Sequence, residues 1–309
     1  MTLARAPGKV ILCGEHAVVY GRPAIAVPVT EVQAEAHIAP AAPGQGITIA
    51  APDLGREFAV RTAPGDEPLA RIVRLCLEVM HVVQEPDLLI TVTSTVPMAR
   101  GMGSGAAVST AIVRAMAAQF GHWFSSRAIS DLVYETELLY HGTPSGIDNT
   151  VIAFEKPVYF VRHTGWEIFW TGRPFLLAIA DTGISSPTRE VVGDLRRRYH
   201  ADPARYEPLF DRTGQLAVAA RAAIERGEIE TLALLLDENH NLLQQMDVSC
   251  PELDRLVLAA REGGALGAKL SGAGRGGNMI ALVREETRGR VDLALRLAGA
   301  VNVIVTTVR

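Results

Sequence analysis

The sequence predicts a chain of mixed helices and strands folded as two domains, and three observations carry that expectation. Its 309 residues are 48% hydrophobic, enough to bury a substantial core, and a chain of this length favours two domains over one. Short β-branched or alternating runs that read as strands are interleaved with longer amphipathic runs that read as helices. A fresh strand from Phe175 to Ala180 then opens a second half after a stretch around residues 165–175, so the division is set at 1–170 and 171–309.

Taken in order, Leu3 to Cys13 reads as an apolar strand ending at Gly14, and Ala24 to Val29 as a second strand after the turn Tyr20-Gly21-Arg22-Pro23. Ala39 to Gly46 carries Pro40, Pro43, Gly44 and Gly46 and reads as a surface turn, followed by short alternating runs such as Phe58 to Arg61. Leu69, Ile72, Val73, Leu75, Leu77 and Val79 fall to one side of a helix over Pro68 to Val83, and Leu88 to Thr95 reads as a strand. The segment Pro97-Met98-Ala99-Arg100-Gly101-Met102-Gly103-Ser104-Gly105 opens a small-residue helix through Phe120. A further helix, capped at Ser125 or Ser126, runs to about Tyr140, where His141-Gly142-Thr143-Pro144-Ser145-Gly146 breaks it. In the second half, helices are expected near Pro187 to Tyr199, Tyr206 to Arg226, Ile229 to Gln245 and Cys250 to Gly263, with strands at Ala268 to Leu270, Asn278 to Val283 and Val301 to Val308.

Composition excludes several classes of function. A net charge of -4 and a pI near 6.1 give no broad positive face for nucleic acid or an anionic membrane surface, so any anion site must be local. The three cysteines, Cys13, Cys76 and Cys250, are odd in number and lack a CxxC spacing, which supports neither a disulfide framework nor a zinc site and fits a reducing cytoplasm. No uninterrupted apolar run reaches the roughly 18 residues of a membrane span, and the protein is expected to be neither exported nor membrane-spanning. Of 30 basic residues only Lys9, Lys156 and Lys269 are lysine. An ammonium is a compact point charge that arginine's planar fork cannot copy, and two of the three lie in the motifs that follow.

Three segments carry chemistry. In Arg5-Ala6-Pro7-Gly8-Lys9-Val10-Ile11-Leu12-Cys13-Gly14-Glu15-His16, a lysine enters an apolar strand, where a buried ammonium needs an anionic partner. Snorkelling from an edge strand is the alternative for Lys9. In Gly101 to Gly105, glycines let the backbone approach an anion while the following helix N-terminus offers unpaired N–H groups and the positive end of its dipole. Gly101-x-Gly103-x-x-Ala106 also matches a dinucleotide fingerprint, but it is set apart from the preceding strand and has no acidic residue about 20 positions on. A small-residue helix packed closely on a sheet would leave the same trace. In Lys269-Leu270-Ser271-Gly272-Ala273-Gly274-Arg275-Gly276-Gly277-Asn278, four glycines fall within six residues, a density that suits a chain folding closely around something or a flexible hairpin. Between the second and third segments, Glu137 precedes a tight turn that presents Asp148, a pair suited to one metal ligand and one base or orienting group.

In this order the segments resemble the GHMP kinase superfamily, named for its galactose, homoserine, mevalonate and phosphomevalonate kinases, over nearly the whole chain. Pro7-Gly8-Lys9 with Gly14-Glu15-His16-Ala17-Val18-Val19-Tyr20-Gly21 is similar to the opening of its mevalonate-phosphorylating branch. So are His141-Gly142-x-Pro144-Ser145-Gly146-x-Asp148-Asn149, Asn239 to Pro251 and Lys269 to Gly274. The resemblance implies a two-lobed α+β fold, with an N-terminal domain like domain two of ribosomal protein S5 and a ferredoxin-like C-terminal domain. It implies transfer of the γ-phosphoryl of Mg-ATP to mevalonate, in the cytoplasm and commonly as a homodimer.

By position, the resemblance makes Asp148 the catalytic carboxylate, with Lys9 near it neutralising charge in the transition state. Pro97, Arg100, Gly101, Met102, Gly103, Ser104, Gly105 and Ala106 then hold the ATP phosphates, and Ser104 and Glu137 the Mg2+. Lys9, His16, Asp148, Thr188, Gly272 and Ala273 contact the acceptor. Gly105 stands where the family commonly has a second serine, and Arg275 and Asn278 interrupt its third glycine segment. The competing readings are a kinase for phosphomevalonate or another small molecule, a nucleotide-binding protein without catalysis and a dinucleotide oxidoreductase. Lys9, Glu137 and Asp148 together speak against loss of catalysis, and the missing acidic partner speaks against NAD.

Overall fold

The structure is a computed structural model and describes residues 1–141, 144–186 and 188–309. Gly142 and Thr143 of the Asp148 motif, and Pro187, where the sequence places a helix start, lie outside the described residues. The chain forms two compact units, one of Met1–Gly8, Val32–Pro97 and Gly103–Glu155, the other of Lys9–Glu31, Met98–Met102 and Lys156–Arg309.

Two long strands pass through both units, β1 (Thr2–Cys13) and β2 (Ala24–Pro40), and they pair with each other. In the first unit the later half of β2 alternates cleanly, with Ala34, Ala36 and Ile38 buried and the residues between them half-buried, as expected for a strand with one face on a core. It pairs antiparallel with β5 (Leu88–Ser94), which lies parallel to β3 (Ile47–Ala51), itself antiparallel to β4 (Arg56–Ala59). Four helices complete this unit: α1 (Pro68–Val79), α2 (Ser104–Gln119), α3 (Ser126–His141) and α4 (Ile147–Phe154). Pro68 at the first helical position, with Glu67 accepting the Leu69 N–H, explains where α1 begins. α2 packs against α1, α3, α4 and β5, and its run of alanines is buried on nearly every side, which suits a central helix.

In the second unit the first half of β2 pairs with β6 (Val158–Val161), which forms a hairpin with β7 (Gly165–Ile168). A four-stranded antiparallel sheet follows from β8 (Phe175–Asp181), β9 (Gly267–Ser271), β10 (Asn278–Val283) and β11 (Asn302–Val308), in the order β11-β8-β10-β9. Helices α5 (Thr188–Ala201), α6 (Pro203–Arg226), α7 (Ile229–Gln245) and α8 (Pro251–Glu262) connect β8 to β9, and α9 (Arg288–Leu297) connects β10 to β11. This is the βαββαβ connectivity of a ferredoxin-like domain. Every residue of β9 and β10 is buried, with α7 and α8 packed on β9 and α9 on β8 and β11. Asp202 accepts the Arg205 N–H at 3.2 Å, Pro203 follows it and Gly227 turns left-handed at φ 70°, so α6 has a signal at each end. The described residues contain no helix long and apolar enough to cross a membrane.

The mixed α+β class agrees with the sequence, but the compact units are interleaved rather than cut once after residue 170. A strand as long as β2 takes one partner along its first half and another along its second, so contact density divides it internally. The sequence reading also omitted α4 and α9. α4 has only eight residues and carries the polar run Asp148-Asn149-Thr150 directly after Ile147, and α9 buries only Val291 and Leu295, too short a segment and too thin a stripe to register as helical periodicity. Asp148 consequently sits in the first turn of α4 rather than on a bare turn.

β9 lies so close to α7 that a Cβ on Gly267 would fall 2.3 Å from the Ala233 carbonyl oxygen. Gly267→Ala should therefore cost about 1–3 kcal/mol through overpacking. The readout is an earlier urea midpoint at unchanged slope; an unshifted midpoint would mean that α7 yields freely.

Candidate active site

In the first unit Gly103, Ser104, Gly105 and Ala106, expected from the sequence to hold phosphate, form the entry to α2. Gly103 is its N-cap at φ 70°, no side chain caps the helix and no acidic residue occupies its first turn. The amides and positive dipole of that end therefore have neither a capping side chain nor an acidic residue of their own first turn. α3 packs on α2, and Thr136 donates its hydroxyl to Ser109 at 3.1 Å between them. Glu137, the next residue on α3, is 3% exposed. Asn149 donates to the carbonyl and hydroxyl oxygens of Ser130 on α3 at 3.0 and 2.9 Å, and Thr150 donates to the Gly146 carbonyl at 2.7 Å. These bonds bolt the start of α4 to α3 and leave Asp148 between them in sequence, half-buried and in the helix's first turn.

Pro97 closes a segment of the first unit, whereas Arg100, Gly101 and Met102 belong to the second, with Lys9, His16, Thr188, Gly272 and Ala273. Lys9 is 4% exposed on β1, and its backbone N–H donates to the Met102 carbonyl at 3.0 Å. His16 adopts φ 61°, unusual for a residue with a side chain, and is buried. Its Nε2 lies 2.9 Å from the Ala273 carbonyl oxygen. A carbonyl only accepts, so Nε2 carries the hydrogen and Nδ1 presents a lone pair, which meets no partner among the described residues. Burial pushes the imidazole down to about 4, with Arg198, Lys269 and Arg275 adding to the effect. The structure thus unites two predicted acceptor-binding positions, His16 and Ala273. Thr188 stands exposed at the start of α5, and Ser186 just before it donates its hydroxyl to the Gly274 carbonyl. A Cβ on Gly274, itself at φ 82°, would fall 1.9 Å from the Val248 carbonyl oxygen, so the glycine density of this segment reflects close backbone approach. Arg275, one of the departures from the family pattern, is pinned by Asp194 of α5.

Sequence reasoning did not foresee the partner of Lys269. Its ammonium is fully buried on β9 and forms an ion pair with the buried carboxylate of Glu15, while also donating to the Leu270 carbonyl at 2.6 Å. Burial raises the Glu15 carboxyl above its ordinary value, and the lysine opposes that rise. The thiol of Cys13 beside them is pushed up to about 12, mainly by burial. Scarcity of lysine was the available signal, since both Lys9 and Lys269 are buried. Arg100 was expected among the ATP contacts; its guanidinium is engaged by Asp181, Nε to Oδ2 at 3.2 Å, and by the Gly183 carbonyl at 3.0 Å.

Two outcomes follow. Lys269→Met should destabilise the fold by about 3–5 kcal/mol, because it strands a buried carboxylate, and adding Glu15→Gln should recover much of the loss. Denaturant unfolding of the single and double variants checks this, and an additive double variant would contradict it. His240 is likewise pushed down to about 4 by burial. His16 and His240 therefore contribute stability that is complete above the ordinary value near 6.5 and is lost as pH falls toward about 4. Their ring resonances should stay constant from pH 7 to about 5.5, and a midpoint near 6.5 for either would refute the assignment.

The family model described as GHMP kinases N terminal domain matches residues 69–156, and that described as GHMP kinases C terminal matches 220–300. The mevalonate kinase of Pyrococcus furiosus is 34% identical over 98% of this chain and 95% of its own length, and that of Aeropyrum pernix 32% over 94% and 90%. The crystal structure of L. major mevalonate kinase in complex with R-mevalonate superposes with TM-score 0.85 at 29% identity, covering 100% of this chain and 96% of that one. Streptococcus pneumoniae phosphomevalonate kinase, with TM-score 0.82 at 17% identity over 99% and 100% of the two chains, shares the fold. With both domain models matched and whole-length relatives above 30% identity, the chain belongs to the GHMP kinases.

Proposed function

We propose that this chain transfers the γ-phosphoryl group of ATP to the primary hydroxyl of mevalonate, giving 5-phosphomevalonate for isoprenoid synthesis. The observation that carries the reading is the 34% identity over 98% of the chain to a mevalonate kinase. The uncapped N-terminus of α2 supports it, since it suits a polyphosphate.

In this reading the amides of Gly101 to Ala106 receive the ATP phosphates, with Pro97 and Arg100 framing the loop. Asp148 accepts the proton of the attacking hydroxyl on a carboxylate oxygen, and Lys9 balances the charge that develops as the phosphoryl group passes. Nδ1 of His16 accepts a hydrogen bond from an acceptor hydroxyl, with Gly272, Ala273 and Thr188 shaping the rest of that pocket. Most of the acceleration then comes from positioning and electrostatics rather than covalent chemistry.

The donor set fits Mg2+. A serine hydroxyl at the head of α2 and a buried carboxylate on α3 are hard oxygen ligands, and magnesium in kinases takes few protein ligands because substrate phosphates and water supply the others. Ser104 and Glu137 would hold it, and when bound it would neutralise phosphate charge. The reading also places the reaction in the cytoplasm, with a homodimer as the working assembly.

The direct test is ADP release measured by a coupled assay with mevalonate, phosphomevalonate, homoserine and galactose. Turnover is expected with mevalonate, and a rate no better than background would remove the substrate assignment. Asp148→Asn should lower kcat by about 10²–10⁴ while nucleotide affinity holds; an unchanged rate would strip Asp148 of its role.

A further inference from the structure

The segment that leads into the phosphate loop is held from outside itself. Ala99, Gly101 and Gly103 adopt φ of 55°, 75° and 70°, three left-handed residues within five positions, and such a run keeps one shape only where surrounding groups impose it. Among the described residues of the second unit, two strand ends impose it on Arg100. Asn278 begins β10, Asp181 ends β8, and the two are cross-strand partners at one end of the four-stranded sheet. Both are nearly buried, at 3% and 7% exposure. Asn278 Nδ2 donates to the Arg100 backbone carbonyl at 2.6 Å. Asp181 meets the Arg100 guanidinium through Oδ2 and accepts the Gly183 N–H through Oδ1 at 2.8 Å, and the Gly183 carbonyl in turn accepts from Arg100 Nη2.

A trans peptide is planar, with its carbonyl and N–H pointing to opposite sides. Fixing the Arg100 carbonyl on Asn278 therefore fixes the direction of the Gly101 N–H. The Lys9 N–H on the Met102 carbonyl does the same for Gly103. Alternate peptide planes of the loop are thus set by groups outside it, which is how a backbone anion cradle is built before its ligand arrives.

We infer that Asn278 and Asp181 are positioning residues for the nucleotide, gripping Arg100 by its carbonyl and its guanidinium so that Gly101 to Ala106 keep the shape that receives a polyphosphate. The inference rests on the kinase reading above and gives a task to Asn278, which departs from the family's third glycine segment.

The test uses Asn278→Ala and Asp181→Asn in the full chain; the second keeps an oxygen for the Gly183 N–H and replaces the oxygen that meets the guanidinium with an uncharged amide nitrogen, which cannot accept from it. Calorimetry with magnesium-AMPPNP and steady-state kinetics in each substrate are the readouts. Each variant should bind the nucleotide about tenfold more weakly and raise KM for ATP to match, with KM for mevalonate unchanged. The thermal midpoint should stay within about 3 °C of wild type. Nucleotide affinity equal to wild type in both variants would overturn the inference, as would equal rises in both KM values, the mark of a general loosening. A wild-type protein that binds magnesium-AMPPNP but does not phosphorylate mevalonate would instead remove the substrate assignment, and the affinities of the two variants would still decide the clamp.

Discussion

The buried contact between Lys269 and Glu15 is the constraint around which the second unit is organised. Two opposite charges removed from water are tolerable only in close pairing, because each alone would cost several kcal/mol. β9 must therefore deliver its lysine to the loop after β1, and that loop must hold its carboxylate there. The neighbouring contacts depend on this register. Ser271 donates to the Ile11 carbonyl at 2.8 Å, and His16 reaches the Ala273 carbonyl. The Glu15 carboxylate also takes a backbone hydrogen bond from Gly272, so the charge pair decides where the chain on either side of it runs, the third glycine segment included.

Electrostatics in the two units take different forms. The first unit offers a helix end with no side-chain cap and no acidic residue in its first turn, and a buried glutamate on the helix packed against it; partial charges of the backbone dominate there. The second unit uses full charges, nearly all already paired around the glycine segments, as with Arg275 on Asp194 and Arg100 on Asp181. A net charge of -4 is compatible with handling anions because attraction is supplied locally by directed N–H groups rather than by a basic surface.

Legibility in the sequence followed the range of the interaction. α7 was read to the residue and α6 to its C-terminal end, but the reading began α6 at Tyr206 and so passed over the start that Asp202 and Pro203 set within a turn of the chain they delimit. The strands of the four-stranded sheet were placed as well, being short apolar runs with glycines beside them. α4 was lost because eight residues that carry Asp148, Asn149 and Thr150 in their first half are too few to show a helical period. The glycine loops were legible as candidate anion cradles, but not the groups that shape them. Nothing local to Asn278 or Arg100 announces their bond across 178 positions, nor that of Glu15 with Lys269 across 254. Partner choice at such separations is made by the fold, and a local pattern can only mark that a partner is needed.

The way this chain uses its few lysines has a practical side. Lys269 is wholly buried and Lys9 nearly so, while Lys156 lies 4.5 Å over the ring of Trp170. With only these three lysines in 309 residues, Lys156 is the one among them whose side chain is not buried. An amine-reactive dye, crosslinker or solid support will accordingly choose it over the other two. The indole beside that point would report the attachment through its own fluorescence.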